Sequence, residues 1–446
     1  MDKESQNNLP NSLEEHWMPF TSNQDYKESP RLMTNASGMY YKDHHGNQLI
    51  DASSGLFCNP AGHNRPEIKE AVAKQLEQLD YVQPFQQGFP GSFELARRIS
   101  KHTPEDLNRI FFTICGSSAV ETAIKIAVAY HKAKGEGHRS HIVGRERGYH
   151  GMNIGGISVG GMIANRKTFA NILMPNVHHI RHTHLEENKF VRGEPESGAE
   201  LANDLERIAM NIGPENIAAC IVEPIAGSTG TLVPPKGYLT RLREICDKHG
   251  ILLIFDEVIT GCGRTGKPFG ADSFNVTPDI LTMAKAMTNG VMPMGAVASR
   301  EDIYDTIINA SPKGTVEFFH GYTYSAIPAC VAAALAMQDI FDKEKLIDRA
   351  SEMSSYFLDG LFSLKDIDII SDIRGYGMMG GIDIYMDERP GKSGYAVFKK
   401  LFEAGLSLKA TGDCLIVAPP FISEKKHIDE IIEKLRIGIT TYKKTN

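Results

Sequence analysis

The sequence lacks several features, and each absence narrows what the chain can be. Its seven cysteines (58, 115, 220, 246, 262, 330 and 414) are odd in number, scattered, and contain no Cys-x-x-Cys pair. That usage argues against a disulfide framework or a zinc cluster and fits thiols kept reduced in a cytosol. No apolar run approaches the roughly 20 residues that cross a bilayer; the longest apolar helix candidate covers only residues 327–337. The opening MDKESQNNLPNSLEEHW is polar and acidic, without the apolar run of a signal peptide. No basic block stands out: 48 Lys+Arg face 55 Asp+Glu, a net charge of −7. A polyanion-binding surface is not expected, so nucleic acid drops out as a partner, as does the membrane. There is no fixed-period repeat and no low-complexity tract. The remainder is an ordinary cytoplasmic globular composition, 446 residues with 41% hydrophobic and 23% charged. At about 150 residues per domain, that length suits two or three domains.

What is present is an alternation. The stretch to about residue 60 is loop-like and ends in short strand patterns, GMYYKD and GNQLIDA. Then EIKEAVAKQLEQL reads as helix, RIFFTI as strand, SAVETAIKIAVAYHKA as helix and HIVGRE as strand. LANDLERIAM, IAACIVEP, GYLTRLREICDKHG and ILLIFDEVI continue the pattern. Continuous apolar strands between amphipathic helices predict an α/β fold with a mostly parallel sheet covered on both faces. The last part mixes helices at 328–342 and 345–364, SGYAVFKKLFEAG and KKHIDEIIEKLRIGITTY with strands DIIS, GGIDIY, SLKAT and CLIVAPP. It reads as a smaller α+β domain. The expected division is 1–60 as an N-terminal segment serving the small domain and pocket, 61–325 as the large domain, and 326–446 as the C-terminal small domain.

Open parallel sheets bind ligands beyond the carboxyl ends of their strands, so the residues just after the apolar runs carry the interest. RIFFTI leads to Cys115-Gly116-Ser117-Ser118, IAACIV to Glu223-Pro224, ILLIF to Asp256-Glu257, and DILTMA to Lys285. A Gly-Ser-Ser turn opening a helix offers backbone N–H groups and the positive dipole end to a phosphate; it also reads as a plain N-cap. Asp256 follows five apolar residues and needs a partner there, with Arg241, Arg243 or Lys248 as candidates for a structural ion pair. Lys285, inside ILTMAKAM, is either a lysine snorkelling to the surface or a desolvated nucleophile suited to a Schiff base. Together the three fit pyridoxal phosphate, which needs a Schiff-base lysine, an acid for the pyridine nitrogen and an anion cup. Tyr149 in RGYHG offers an aromatic face for the ring.

WMPFT, GRERGYHG, VEPIAGSTGTLVPPKGYLTRLREICDKHGILLIFDEVITG, GRTGKPF, DILTMAKAMTNG and FFHGYTYSAIP resemble the class III aminotransferases. Within that family they are most similar to the β-alanine:pyruvate (ω-amino acid:pyruvate) group, from about residue 14 to near the C-terminus. The resemblance implies a fold type I pyridoxal-phosphate-dependent homodimer with active sites shared between subunits, and leaves open whether dimers pair into tetramers. It implies that Lys285 carries the Schiff base and the proton, and that Asp256 pairs with the pyridine nitrogen. Val258 lies beneath the ring and Tyr149 above it, Gly116 and Ser117 hold the phosphate, and Glu223 sits near the ring edge. Thr323, with the Tyr322 backbone, reaches the phosphate of the partner subunit's cofactor. Phe20 and Phe57 line the substrate pocket. No metal ion belongs to this set. The implied reaction is ping-pong transfer of a terminal amine from a β-alanine-like ω-amino acid to pyruvate. Related enzymes for 4-aminobutyrate, taurine, a diamine or 7,8-diaminopelargonate synthesis are the alternatives, an aminomutase a more distant one.

Several positions depart from the family pattern. Ser118 stands where an acidic residue is usual, Phe57 replaces a pocket tryptophan, Cys262 replaces an aromatic, and Ala326-Ile327 replaces Gly-His. Lys409, in SLKATGD, takes the place of the mobile arginine that binds the substrate carboxylate. A lysine is a point charge without the two-pronged fork of arginine, so weaker pyruvate binding or a different acceptor is expected. Gly261-Cys262-Gly263-Arg264-Thr265-Gly266 matches a dinucleotide fingerprint literally, but no amphipathic helix follows it. The histidines of residues 178–184 read as an exposed loop rather than a metal site, and His150 as a residue that orients its loop. A catalytically silent scaffold is disfavoured by the intact Lys285 and Asp256.

Overall fold

The computed structural model describes residues 12–385 and 390–445; the first eleven residues of the N-terminal segment lie outside that range. Near the N-terminus, β1 (Met33–Ser37), β2 (Tyr40–Asp43) and β3 (Gln48–Asp51) form an antiparallel meander. The central sheet comprises β4 (Arg109–Thr113), β5 (His141–Arg145), β6 (Val177–Ile180), β7 (Ile217–Val222), β8 (Leu252–Asp256), β9 (Ile280–Met283) and β10 (Gly295–Ser299). Their spatial order is β4-β10-β9-β8-β7-β5-β6. Toward the C-terminus, β11 (Ile370–Tyr376) and β12 (Met379–Ile384) are followed by β13 (Leu406–Ser407), β14 (Lys409–Thr411) and β15 (Cys414–Val417). The last sheet runs β11-β12-β15-β14.

The apolar strands explain the layering. In β7 and β8 every residue is buried, as strands covered on both faces must be. Alternate residues feed separate cores. Cys220, Val222, Leu253 and Phe255 join one cluster with Tyr238 and Leu242, and Ala219, Ile221, Leu252 and Ile254 join another with Val120 and Ala123. The helices Tyr238–His249 and Gly116–Ala133 therefore sandwich the sheet. A further core gathers the helices Leu346–Phe362 and Lys425–Thr445 around β11, β12 and β15. The chain is an α/β fold with a large, mostly parallel sheet and a smaller α+β part built from both ends of the sequence. No helix among the described residues is long and apolar enough to cross a membrane.

Four features differ from the sequence reading. The N-terminal segment is more structured than a loop, carrying β1 and the short helix Asn23–Glu28. His178 and His179 lie in β6, paired to β5, rather than in an exposed loop; the His178 ring stacks on His141, their nitrogens 2.8 Å apart. And β10, a run of small residues (GAVAS), inserts antiparallel between β9 and β4. The predicted strand SLKAT is divided at Leu408: β13 pairs in parallel with β3, and β14 antiparallel with β15. That break stitches the N-terminal meander to the C-terminal sheet.

The glycine motif at 261–266 is structural. Gly263 and Gly266 adopt φ of 95° and 85°, and the loop aims Arg264 into the interior. Its guanidinium donates to the carbonyls of Met378 (3.0 Å) and Pro419 (2.7 Å) and to Ser54 Oγ (2.9 Å), and stacks on Phe421. Burial pushes its pKa down to about 9. Arg264→Met leaves those acceptors without a donor and is expected to cost about 2–4 kcal/mol, measured as a lowered melting temperature.

Candidate active site

Strand direction brings the site together. β7, β8 and β9 are parallel neighbours. β10 is antiparallel to both β9 and β4, so β4 points the same way and its carboxyl end opens on the same side. There the chain encloses a cavity of about 410 Å³ lined by Ser117, Tyr149, Glu223, Asp256, Val258 and Lys285, with Gly116 at its edge.

Asp256 ends β8 and is only 5% exposed. Its Oδ1 accepts from Thr282 Oγ1 and from the Val258 N–H, each at 3.1 Å. His150 Nδ1 lies 2.8 Å from Oδ2 and donates to it, since a carboxylate only accepts. His150 Nε2 is buried and finds no partner among the described residues. Arg241, Arg243 and Lys248 pair instead with Glu244, Asp279 and Glu206, so the ion-pair reading of Asp256 is replaced by His150. Neighbouring side chains along a strand point to opposite faces, and Glu257 turns away to bind the N–H groups of Gly270 (2.6 Å) and Ala271 (2.7 Å). Of the two acids in the Asp-Glu pair, only Asp256 faces the cavity.

Lys285 follows β9 in the left-handed region, φ 47°, a conformation that costs a non-glycine residue about 1 kcal/mol or more and concentrates at functional sites. Burial pushes its amine below the ordinary lysine range, against the opposing pull of Cys58, Asp256 and Glu223. Its Nζ lies 5.3 Å from the Phe57 ring, which is 2% exposed. Glu223 directly follows β7; its carboxylate accepts from the N–H of Tyr149 (2.8 Å) and of Gly227 (3.0 Å), and burial raises its pKa. Burial also raises the Tyr149 phenol, with Asp256 and Glu223 adding to it.

The turn at the start of the helix Gly116–Ala133 requires its glycine: a Cβ at 116 would lie 2.9 Å from Val258 Cγ1. The first-turn N–H groups of a helix have no intrahelical partner, and here they border the cavity. Ser118 Oγ accepts from the N–H of Cys115 (3.0 Å) and of Ile114 (3.2 Å), supplying the reciprocal cap that a longer acidic side chain at this position also gives.

The remaining predicted residues are placed differently. Lys409, in β14, is half-buried, and the charges of Lys285 and Glu223 act on it. Phe20 is 73% exposed and, like Thr323, does not line the cavity of its own chain. The Tyr322 hydroxyl donates to the Ser118 carbonyl at 3.2 Å, beside the Gly-Ser turn. Sequence reasoning missed the contact of His150 with Asp256, and it missed Thr282. A threonine within the apolar run ILTM was the available signal for the latter; for His150 the signal was its place directly after Tyr149.

The lysine, the acid at a parallel strand end and the open helix terminus define a pyridoxal-phosphate fold type I site, and comparison with known proteins agrees. The aminotransferase class-III family matches residues 21–438. The chain is 49% identical to an omega-aminotransferase of Caulobacter vibrioides, over 96% of this chain and 97% of that one. It is 46% identical to an omega-amino acid–pyruvate aminotransferase of Pseudomonas putida, over 94% of each. The omega transaminase of Pseudomonas jessenii, solved in complex with PMP, superposes with a TM-score of 0.91 at 28% identity, covering 96% of this chain and 97% of that one. The chain belongs to the class III aminotransferases, transaminases that use pyridoxal phosphate.

The residues present fit that cofactor: a cavity of sufficient size, a cationic helix end kept clear by Gly116, a fully held carboxylate, and a desolvated amine. Asp256→Asn removes the negative charge while keeping the side-chain shape. It is expected to lower kcat about 10²-fold or more, with cofactor still bound, as checked by steady-state kinetics and the visible spectrum.

Proposed function

We propose that this transaminase moves the terminal amine of a β-alanine-like ω-amino acid to pyruvate by a ping-pong reaction. The observation that carries the reading is a second cation, Lys409, placed where the charges of Lys285 and Glu223 reach it. It suits the far carboxylate of a substrate whose amine reacts at Lys285. The two relatives with the highest identities cited above carry names of the same class.

Gly116 and Ser117 would hold the cofactor phosphate, Val258 and Tyr149 would offer apolar and aromatic surface to its ring, and Asp256 would be the acid for the ring nitrogen. Bound pyridoxal phosphate supplies an electron sink for negative charge at the amine-bearing carbon. Lys285, kept below its ordinary pKa by burial, would be the base that accepts a proton at its Nζ and gives it back. His150 keeps Asp256 oriented through the 2.8 Å bond, and Glu223 fixes the backbone of Tyr149. Phe57 packs against Lys285 and narrows the pocket on that side. Thr323 and the Tyr322 backbone would serve the phosphate of the partner subunit's cofactor in a homodimer. The exposed aromatics Phe85, Phe93, Phe319 and Tyr324 near this segment support such an interface. The enzyme works in the cytoplasm, a location supported by seven free cysteines.

The half-reaction is the direct test. Adding β-alanine to the yellow holoenzyme is expected to bleach its visible band, and pyruvate to restore it; no spectral change with any ω-amino acid overturns the reading.

Lys409 also sets a pH dependence. Burial, helped by the Lys285 charge, lowers its pKa from 10.5 to about 8. The charged form that grips a carboxylate is therefore complete below that value and lost as pH rises through it. The KM for pyruvate is expected to climb between about pH 7 and 9, and Lys409→Arg to flatten that climb because arginine stays charged.

A further inference from the structure

The C-terminal sheet carries a lateral row that ends at Lys409. Arg374 in β11 pairs with Gly381 in β12, Gly381 with Ile416 in β15, and Ile416 with Lys409 in β14. Directly paired residues point to the same face of a sheet, so Arg374 and Lys409 stand on one face about three strand spacings, roughly 14 Å, apart. Gly381 leaves a gap between them, and the Gly230 carbonyl occupies it: a Cβ at 381 would lie 2.5 Å from that oxygen.

Gly230 belongs to the loop 227–231, which is also wired to the reaction centre. Gly227 N–H donates to Glu223, whose other oxygen holds the Tyr149 N–H. Arg147, two residues before Tyr149, returns to the same loop through Nη2 and the Thr229 carbonyl at 3.1 Å. Arg374 grips the next carbonyl, Gly230, through Nε at 2.7 Å. Two arginines, one beside Tyr149 and one in the row of Lys409, thus hold adjacent carbonyls of a single loop.

The arginines are themselves locked. Arg374 bonds Asp372 at 2.6 Å and both oxygens of Asp383 at 2.8 Å, and touches Cys414 Sγ at 3.4 Å. Cys414 faces Thr411, two residues beyond Lys409. Arg147 Nη1 donates to His184 Nδ1 (2.7 Å), so His184 Nε2 donates to Asp372 (3.1 Å). His184, Asp372 and Asp383 bring their polar atoms within 4.8 Å of one another; the cation among them is the Arg374 guanidinium.

We infer that Arg374 is a positioning residue for substrate carboxylate recognition: by clamping the loop 227–231 it fixes where the strand carrying Lys409 sits relative to Tyr149. The inference rests on the assignment of Lys409 to the carboxylate. Its signature is selective. Loosening the clamp misplaces Lys409 and weakens substrates that carry a distal carboxylate, while an amine without one reacts as before.

Half-reactions of the holoenzyme with β-alanine and with hexylamine test it, reading the half-saturating concentration and the limiting rate from the cofactor spectrum. Arg374→Lys is expected to raise the β-alanine half-saturating concentration about tenfold or more, since small misplacements of binding groups are costly. Its limiting rate and both hexylamine constants should stay within about twofold of the parent. Asp383→Asn, isosteric and at the rim of the network, should show the same pattern at about threefold and carries the test if Arg374→Lys does not fold. Lys409→Met, run alongside, must itself weaken β-alanine and spare hexylamine. If it does and the Arg374 and Asp383 variants affect both amines equally, or neither, the positioning role is overturned alone. If Lys409→Met does not discriminate, the carboxylate assignment falls and the inference falls with it.

Discussion

The site depends on unequal compensation for buried charge. Removing an ionised group from water costs several kcal/mol unless donors or a counter-charge replace the lost hydration. Asp256 is fully provided for: Thr282, the Val258 N–H and His150 all donate to it. Lys285 shares the same dry cavity with a phenylalanine ring beneath its amine, and burial lowers its pKa. One desolvated space therefore stabilises a negative charge and weakens the hold of a proton on an amine. These are the two conditions that a cofactor with a protonated ring nitrogen and a nucleophilic lysine requires. Parallel strands make the arrangement possible, because β7, β8 and β9 release their next residues at one edge.

Most of this was legible in the sequence, for reasons that differ by residue. Asp256 and Lys285 each had an ordinary reading alone, an ion pair and a snorkelling lysine, and stood out because together with the Gly116-Ser117 turn they fit one cofactor. The Gly116-Ser117 turn was found because a glycine before a strong helix pattern marks a strand-to-helix corner. The structure adds the reason for that glycine, the Val258 side chain against it. His150 was read as orienting its loop, whereas its ring bonds Asp256 from 106 residues away; pairings at such a separation leave no local pattern. β10 escaped because GAVAS has neither alternation nor bulk, and its strand character comes from filling the narrow space between β9 and β4. The division of SLKAT at Leu408 was beyond periodicity as well, since both halves read as extended and only the partner strands differ.

The glycine-rich loop at 261–266 shows how a motif is decided by its surroundings. The same spacing that cups a pyrophosphate in a dinucleotide fold here lets the chain turn sharply while Arg264 is drawn inward onto two carbonyls and Phe421. A phosphate site would need the loop to open a helix whose N–H groups stay available; the next helix, Gly270–Phe274, has five residues, and Glu257 already holds its first two N–H groups. The fingerprint is intact and its donors are occupied.

In the proposed reading, chemistry and specificity are carried by different sheets. Asp256 and Glu223 come from the central sheet and are each held by more than one buried hydrogen bond, so exchanging either disturbs several partners. Lys409 comes from the C-terminal sheet, half-buried in a three-residue strand within electrostatic reach of Lys285 and Glu223. A substitution there changes what is gripped without touching the Asp256–His150 pair. Of the departures from the family pattern, Lys409 lies in the C-terminal sheet, whereas Ser118 opens the helix that follows β4 and Phe57 belongs to the N-terminal segment. A lysine at 409 exchanges the planar fork of arginine for a single hydrated charge on a flexible stem. Its binding strength then depends more heavily on where the strand holds its Cα than an arginine's would, which gives the docking of that sheet onto the loop 227–231 a direct bearing on which substrates the enzyme accepts.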